Sequence, residues 1–267
     1  MTTRLDRSHT PMPRTIQHNL IAYMRLFGGL SGVAMVDDPD TFWIVSGSSA
    51  PGNAILHTDW AEQGIEHRID ALFAQVGQHI DQIDWFVFPA SQRQDLGARL
   101  AARGMPGGPG GNWLWLYLTT LSAPPPVSGN FRIEQVRDDA AMRDWLHVSE
   151  AGFGASFPRF YDAYARHGYG ADAFSFHYIG YLEDVPVTSA TLLDAGGGAS
   201  IYDLSTPPPF RGHGFGGALT HFLLRETLRR GYPETWIWSS DMARTLYRSL
   251  GFLDADFGIR EHTWHRP

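Results

Sequence analysis

Two residue types are missing from this 267-residue chain: it has no cysteine and no lysine. Without cysteine there is no disulfide, no thiolate nucleophile and no thiolate metal site. Without lysine there is no Schiff-base amine and no P-loop lysine for a phosphate, because all 21 basic residues are arginine. A long apolar run is missing too, since no stretch approaches the roughly 18 residues of a membrane span. Excess positive charge is also absent. Residues 1–128 carry 8 basic and 11 acidic side chains, and residues 129–267 carry 13 and 17. No basic stripe offers itself to nucleic acid or to an anionic membrane. Met1 to Pro13 holds no apolar core and includes Asp6, unlike a signal peptide. The expectation is a cytoplasmic protein with no metal, nucleic-acid or membrane partner.

What is present is apolar bulk. Hydrophobic residues make up 43% and aromatics 13%, enough for one large core or two modest ones. The clearest boundary is Ser122 to Asn130, with three consecutive prolines followed by Ser, Gly and Asn. Prolines cannot donate ladder hydrogen bonds and the other residues favour turns. The chain divides there into residues 1–121, a linker 122–130, and residues 131–267.

In the second part, Phe131–Arg137 alternates apolar and polar as a half-buried strand does. Asp138-Asp139 can cap a helix running to about Glu150, and a short second helix is expected within Ala151–Tyr169. Phe174–Leu182, Val185–Leu193 and Ala199–Ser205 read as strands, separated by Glu183-Asp184 and by Asp194 to Gly198. A helix follows from about Gly216 to Arg230, with Leu219, Phe222, Leu223 and Leu228 on one face. Then come an apolar strand at Thr235–Ser239, a helix at Asp241–Leu250 stopped by Gly251, and a weakly strand-like tail at Leu253–Trp264. The order is β-α-α-β-β-β-α-β-α-β.

The first part resembles a worn copy. Thr41–Val45, Ala54–His57 and Trp85–Phe88 are strand-like. Asp59–Val76 is helical, with Ile65, Ile69, Leu72, Phe73 and Val76 on one side. Trp85–Phe88, a serine at 91 and a helix ending at Gly104-Met105 parallel Trp236–Trp238, Ser239-Ser240 and a helix ending at Gly251-Phe252. Internal duplication accounts for this order; two ordinary strand–helix units are the alternative.

Between the last antiparallel strand and the amphipathic helix lies Arg211-Gly212-His213-Gly214-Phe215-Gly216-Gly217. Arg-x-x-Gly-x-Gly alone is weak, since chance supplies it in roughly one shuffled chain in four. Its place carries the weight. Glycines let the backbone approach a ligand closely, and the amides of a first helical turn converge with the helix dipole behind them, a geometry that binds phosphate. A Rossmann loop would follow the first strand of a βαβ unit and precede an acidic strand end; neither holds here.

These residues resemble the GNAT superfamily of acyl-CoA N-acyltransferases, which has this strand order and carries Arg/Gln-x-x-Gly-x-Gly/Ala at this turn. Arg211, Gly214 and Gly216 match the motif. Tyr202 to Gly216 and Ser240 to Phe252, with its Leu-Tyr and Leu-Gly-Phe signature, resemble the family closely. The resemblance covers residues 131–265, and residues 1–120 resemble the degenerate half of tandem members. It implies an α+β (mixed α/β) fold of two GNAT-like domains, each a mostly antiparallel, splayed sheet flanked by helices. It implies transfer of an acetyl group from acetyl-CoA to a primary amine of a small molecule or peptide, by direct attack in a ternary complex, in a monomer or homodimer.

By the same resemblance, Leu204, Ser205 and Thr206 pair through their main chain with the pantetheine arm, and an N–H there, that of Leu204 first, polarises the thioester carbonyl. The amides of Gly212, His213, Gly214, Phe215, Gly216 and Gly217 hold the pyrophosphate. Arg211 adds charge or makes a structural contact. Tyr247 matches the general acid that protonates the leaving thiolate; its other reading is an aromatic packed beside Leu246 and Leu250. Asp203 is a general base, direct or through water, or else a turn or ion-pair carboxylate. Glu183, Asp184 and His213 are weaker bases. Phe153, Phe157, Phe160, Tyr161 and Tyr164 line an aromatic acceptor pocket or form ordinary core. The first half lacks the glycine loop and has Leu100 where Tyr247 stands, so it should not catalyse. A non-catalytic acyl-CoA-binding module is the competing function.

Overall fold

The computed structural model describes residues 12–47, 50–89, 95–127, 129–170 and 172–267. The expectations placed on residues 1–11, on Ala90-Ser91 and on Ser128 lie outside these. The first half contains helix α1 (Met12–Arg25), strands β1 (Ala34–Asp38), β2 (Thr41–Val45) and β3 (Ala54–Thr58), helix α2 (Ile65–Val76), strand β4 (Gln82–Val87), helix α3 (Leu96–Ala102) and strands β5 (Gly108–Pro109) and β6 (Trp113–Tyr117). The second half contains β7 (Phe131–Gln135), α4 (Asp139–Phe153), α5 (Pro158–His167), β8 (Ser175–Leu182), β9 (Val185–Ala195), β10 (Gly198–Ser205), α6 (Phe215–Arg229), β11 (Glu234–Trp238), α7 (Asp241–Ser249), β12 (Leu253–Asp254) and β13 (Arg260–His265). The fold is mixed α/β with mostly antiparallel sheets, and no helix among the described residues is long and apolar enough to cross a membrane.

Local chemistry sets the elements of the second half. The Asp138 carboxylate accepts from the Ala141 amide at 2.8 Å and caps α4. Gly196 and Gly197 form the two-residue β9–β10 turn, both with positive φ, which suits the twist of a tight hairpin. Helix α6 buries Leu219, Leu223, Leu224 and Thr227, whereas Leu228 is 40% exposed. Leu224 replaces Leu228 on the core face because the stripe follows the 3.6-residue period from Leu219 through i+4 and i+5. Helix α2 buries all five of its expected residues, from Ile65 to Val76.

The two halves end alike and exchange their last strands. In each, a strand and a helix (β4–α3, β11–α7) precede a two-residue strand (β5, β12) and a longer one (β6, β13). Strand β6 does not stay with its own half but inserts between β11 and β12. Strand β13 returns to insert between β4 and β5, pairing Arg260 through His265 with Val87 through Gln82. Strand pairing therefore crosses the Pro-rich segment in both directions. Each half lends the other the strand that completes its sheet.

Trp264 on β13 stacks on Phe73 of α2, with ring centroids 5.1 Å apart and planes 5° from parallel. Removal of a buried indole costs about 3–5 kcal/mol, so Trp264→Ala is expected to lower stability in urea by that amount although it lies far from α2 in sequence. A loss under about 1 kcal/mol would contradict this account of the exchange.

Helix α1 bridges the halves. Gln17 Nε2 donates to the Leu56 carbonyl of β3 at 2.6 Å, and Asn19 Nδ2 donates to the carbonyls of Ala195 and Gly198 at 2.9 and 3.1 Å. The β9–β10 turn approaches so closely that a Cβ at Gly196 would lie 2.6 Å from the Asn19 nitrogen. A glycine is needed there for space as well as for its φ of 67°.

Candidate active site

Strands β10 and β11 are neighbouring edges of two different sheets. They are tied side chain to backbone at one end only: Ser200 Oγ donates to the Trp236 carbonyl at 2.6 Å, and Thr235 Oγ1 to the Ala199 carbonyl at 2.7 Å. Among the described residues, the later part of β10 thus has no strand partner on that side. It also carries a bulge. Tyr202 faces Thr191 and Ser205 faces Ser189, so three steps on β10 span two on β9. A bulge re-aims side chains, and Asp203 within it takes φ 53°, a left-handed conformation that Asp tolerates better than most residues.

The re-aimed Asp203 carboxylate accepts the Tyr23 hydroxyl at 2.9 Å and the Tyr164 hydroxyl at 2.5 Å. Tyr23 comes from α1, where its ring stacks on Tyr202 at 4.4 Å. The Tyr202 hydroxyl donates in turn to Asn19 Oδ1 at 2.8 Å. Burial pushes the Asp203 carboxyl from its ordinary 3.8 up to about 6, with the hydroxyl donors acting in the opposite direction. No cation is bonded to it among the described residues.

Tyr247 lies on α7, whose first turn is capped by Ser240 Oγ accepting from the Ala243 amide. Its ring meets Phe252 edge-on at 5.6 Å. The residue is 5% exposed, burial raises its phenol above the ordinary 10, and the hydroxyl has no hydrogen bond among the described residues. Tyr247, Asp203 and Leu204 line one cavity of about 270 Å³.

The glycine loop follows β10. Gly212 and Gly214 have φ of 79° and 86°, and Gly214 is the N-cap of α6. The amides of residues 212–217 have no acceptor among the described residues, the first satisfied one in the helix being Ala218 to the Gly214 carbonyl at 2.9 Å. A Cβ at Gly212 would meet nothing within 4 Å, while one at Gly214 would lie 2.8 Å from the Pro126 carbonyl oxygen and one at Gly217 3.2 Å from Pro125 Cγ. Six free donors at the start of a 15-residue helix fit a diphosphate. The Pro-rich segment packs on the flank of the loop.

Arg211 takes the structural alternative. Its Nε donates to the Thr206 carbonyl at 2.9 Å, and its NH2 donates to the Gly152 carbonyl of α4 at 2.6 Å. His213 is exposed and Phe215 is buried against Phe131 at 5.2 Å, which pins the first turn. The Ser205 carbonyl accepts from Thr188 Oγ1 at 2.8 Å. Glu183 and Asp184 form the β8–β9 turn and do not line the cavity.

Of the aromatics expected at the acceptor end, Phe153 lines the cavity. Phe160 and Tyr164 pack around Trp145 in the core, with the Tyr164 hydroxyl reserved for Asp203. Sequence reasoning missed the opposite wall: Leu20, Tyr23 and Met24 from α1 and Trp113 from the exchanged β6. The 3.6-residue spacing of Ile16, Leu20, Tyr23 and Met24 carried a signal for α1 that the prolines at 11 and 13 obscured.

Helix α2 of the first half also starts from a left-handed glycine, Gly64 with φ 80°, and the loop before it carries exposed Asp59 and Glu62. Leu100 is fully buried.

The family model for the acetyltransferase (GNAT) family matches residues 140–252. No curated protein sequence matches the chain. Among solved structures, a GCN5-related N-acetyltransferase from Kribbella flavida aligns with a TM-score of 0.62 at 14% identity, covering 94% of this chain and 95% of that one. A tandem GNAT protein from the clavulanic acid biosynthesis pathway aligns at 0.60 with 16% identity, covering 92% and 86%. A GCN5-related N-acetyltransferase from Sphaerobacter thermophilus aligns at 0.58 with 17% identity, covering 92% and 85%. The chain as a whole thus shares its fold with a tandem GNAT protein, and residues 140–252 match the model of the GNAT family of acetyltransferases.

Proposed function

We propose that the protein transfers an acetyl group from acetyl-CoA to the primary amine of a small molecule or peptide, by direct attack within a ternary complex. Residues 131–267 are the catalytic unit in this proposal, and residues 1–121 are a non-catalytic partner that helps wall the cleft. The observation that carries it is a convergence. Among the described residues the amides of 212–217 have no acceptor, they follow directly on the free edge of β10, and Asp203 and Leu204 of that strand line one cavity with Tyr247.

Acetyl-CoA supplies an electrophilic thioester carbonyl and a thiolate leaving group. The amides of Gly212 to Gly217 bind the pyrophosphate, and Arg211 fixes the loop that presents them. The main chain of Leu204, Ser205 and Thr206 holds the pantetheine arm, with the Leu204 N–H directed at the carbonyl oxygen as it gains charge. Asp203 takes a proton from the incoming ammonium, leaving the free amine to attack. Tyr247 gives its proton to the departing sulfur as the C–S bond breaks, and the second proton, shed by the nitrogen once the C–N bond has formed, restores the phenol, which burial keeps protonated until the transfer.

Tyr247→Phe is expected to lower kcat about a hundredfold, within the range for a lost general acid, with acetyl-CoA affinity unchanged. An unaltered kcat removes Tyr247 from the chemistry. Tyr23→Phe removes a donor that favours the Asp203 carboxylate, so the acidic limb of kcat/KM, near pH 6, should move up by roughly one unit. An unmoved limb would separate Asp203 from the base step.

A further inference from the structure

We infer that the cavity between Asp203 and Tyr247 selects a primary amine with a single positive charge carried on a flat apolar body, and that α1 and β6 build the wall that makes this selection. The inference rests on the proposal that this cavity receives the acceptor. Among the residues that line it, Asp203 carries the only formal charge and none is basic. A ligand carboxylate would have no counter-ion there, and a second ligand cation would have no second acid. A carboxylate offers about four lone-pair sites; the hydroxyls of Tyr23 and Tyr164 occupy two, and the remainder can receive an ammonium.

Much of the rest of the surface is aromatic. Trp113 of β6 stacks on Trp238 of β11 at 5.2 Å, and Tyr23 stacks on Tyr202 at 4.4 Å. These four rings line the cavity with Leu20 and Met24. Aromatic faces favour an adjacent cation and an apolar ring alike. The volume of about 270 Å³ has space for one ring on a short arm. Tyr23, Leu20, Met24 and Trp113 all belong to the first half, so specificity resides largely in the half that lacks the glycine loop.

The test is equilibrium binding to the full wild-type chain, with and without CoA, of four probes. 2-Phenylethylamine should bind at least about tenfold more tightly than 2-phenylethanol, phenylalanine and spermidine, the effect expected of one charged hydrogen bond made or frustrated. Equal binding of the alcohol, or tighter binding of spermidine or phenylalanine, overturns the inference. Asp203→Asn should bring the amine and the alcohol to within about twofold of each other. Should that variant fail to fold, Met24→Trp, which fills the cavity from α1, should weaken 2-phenylethylamine at least about tenfold and leave CoA affinity unchanged; an unchanged amine affinity contradicts the assignment of the wall to α1. Thiol release from acetyl-CoA is read separately. Selective amine binding without release supports the ligand class and sinks the transfer reaction.

Discussion

Gly214→Asp is expected to reduce CoA affinity about a thousandfold. Each charge-assisted hydrogen bond contributes about 1.5–3 kcal/mol, and the loop offers six amides to one pyrophosphate. A carboxylate at position 214 stands among those donors, competes for them and repels the ligand. The backbone there has φ 86° and a Cβ would press on the Pro126 carbonyl, so some folding stability is lost as well. Gly212→Asp separates the two effects: φ is again positive, but a Cβ at 212 meets nothing within 4 Å. It should retain the fold and still weaken CoA at least about tenfold. Titration calorimetry with CoA, paired with a thermal melt, reads both. Wild-type affinity in a folded Gly214→Asp protein would place the coenzyme elsewhere.

Asp203→Asn has the second large expected effect, and it acts in opposite directions on rate and stability. Loss of a general base lowers kcat/KM about a hundredfold to ten-thousandfold and abolishes the acidic limb near pH 6. Stability changes the other way. Folding raises the carboxyl from 3.8 to about 6, so the native state binds the proton more tightly than the unfolded chain. Native stability therefore falls as pH rises from about 4 to about 6, by about 3 kcal/mol for a shift of roughly two units. Above that window the ionised carboxylate is a standing cost, which asparagine does not carry. Asp203→Asn should melt higher than wild type at pH 8 and alike at pH 4. A lower melting temperature at pH 8 would mean that the hydroxyl cluster favours the carboxylate more than burial disfavours it.

Much of this arrangement is legible in the residues. The run from Ser205 to Gly217 states a strand, a stop and a glycine-led helix, and α2 and α6 announce their core faces through their spacing. Position also marked Tyr247 and Asp203, although no spacing could state what surrounds Asp203: Tyr23 lies 180 residues away and Tyr164 lies 39 away, and nothing local couples them. The strand exchange was hidden for a related reason. Trp113–Tyr117 is a short apolar strand that fits either sheet, and its choice of β11 over its own half is decided by the partner edges, with Trp113 set against Trp238 and Leu114 against Ile237. The motif alone left Arg211 between added charge and a structural contact; its Nε and one terminal nitrogen donate to the carbonyls of Thr206 and Gly152, a contact that no spacing could state.

The most direct test is amine-dependent release of free thiol from acetyl-CoA by the wild-type chain, with the acetylated amine identified by mass. Release should saturate with amine, with one coenzyme bound per chain and N-acetyl product in equal amount to thiol. Coenzyme bound one per chain with no amine-dependent release across a broad panel of primary amines would contradict it, and would make the protein an acyl-CoA-binding module instead.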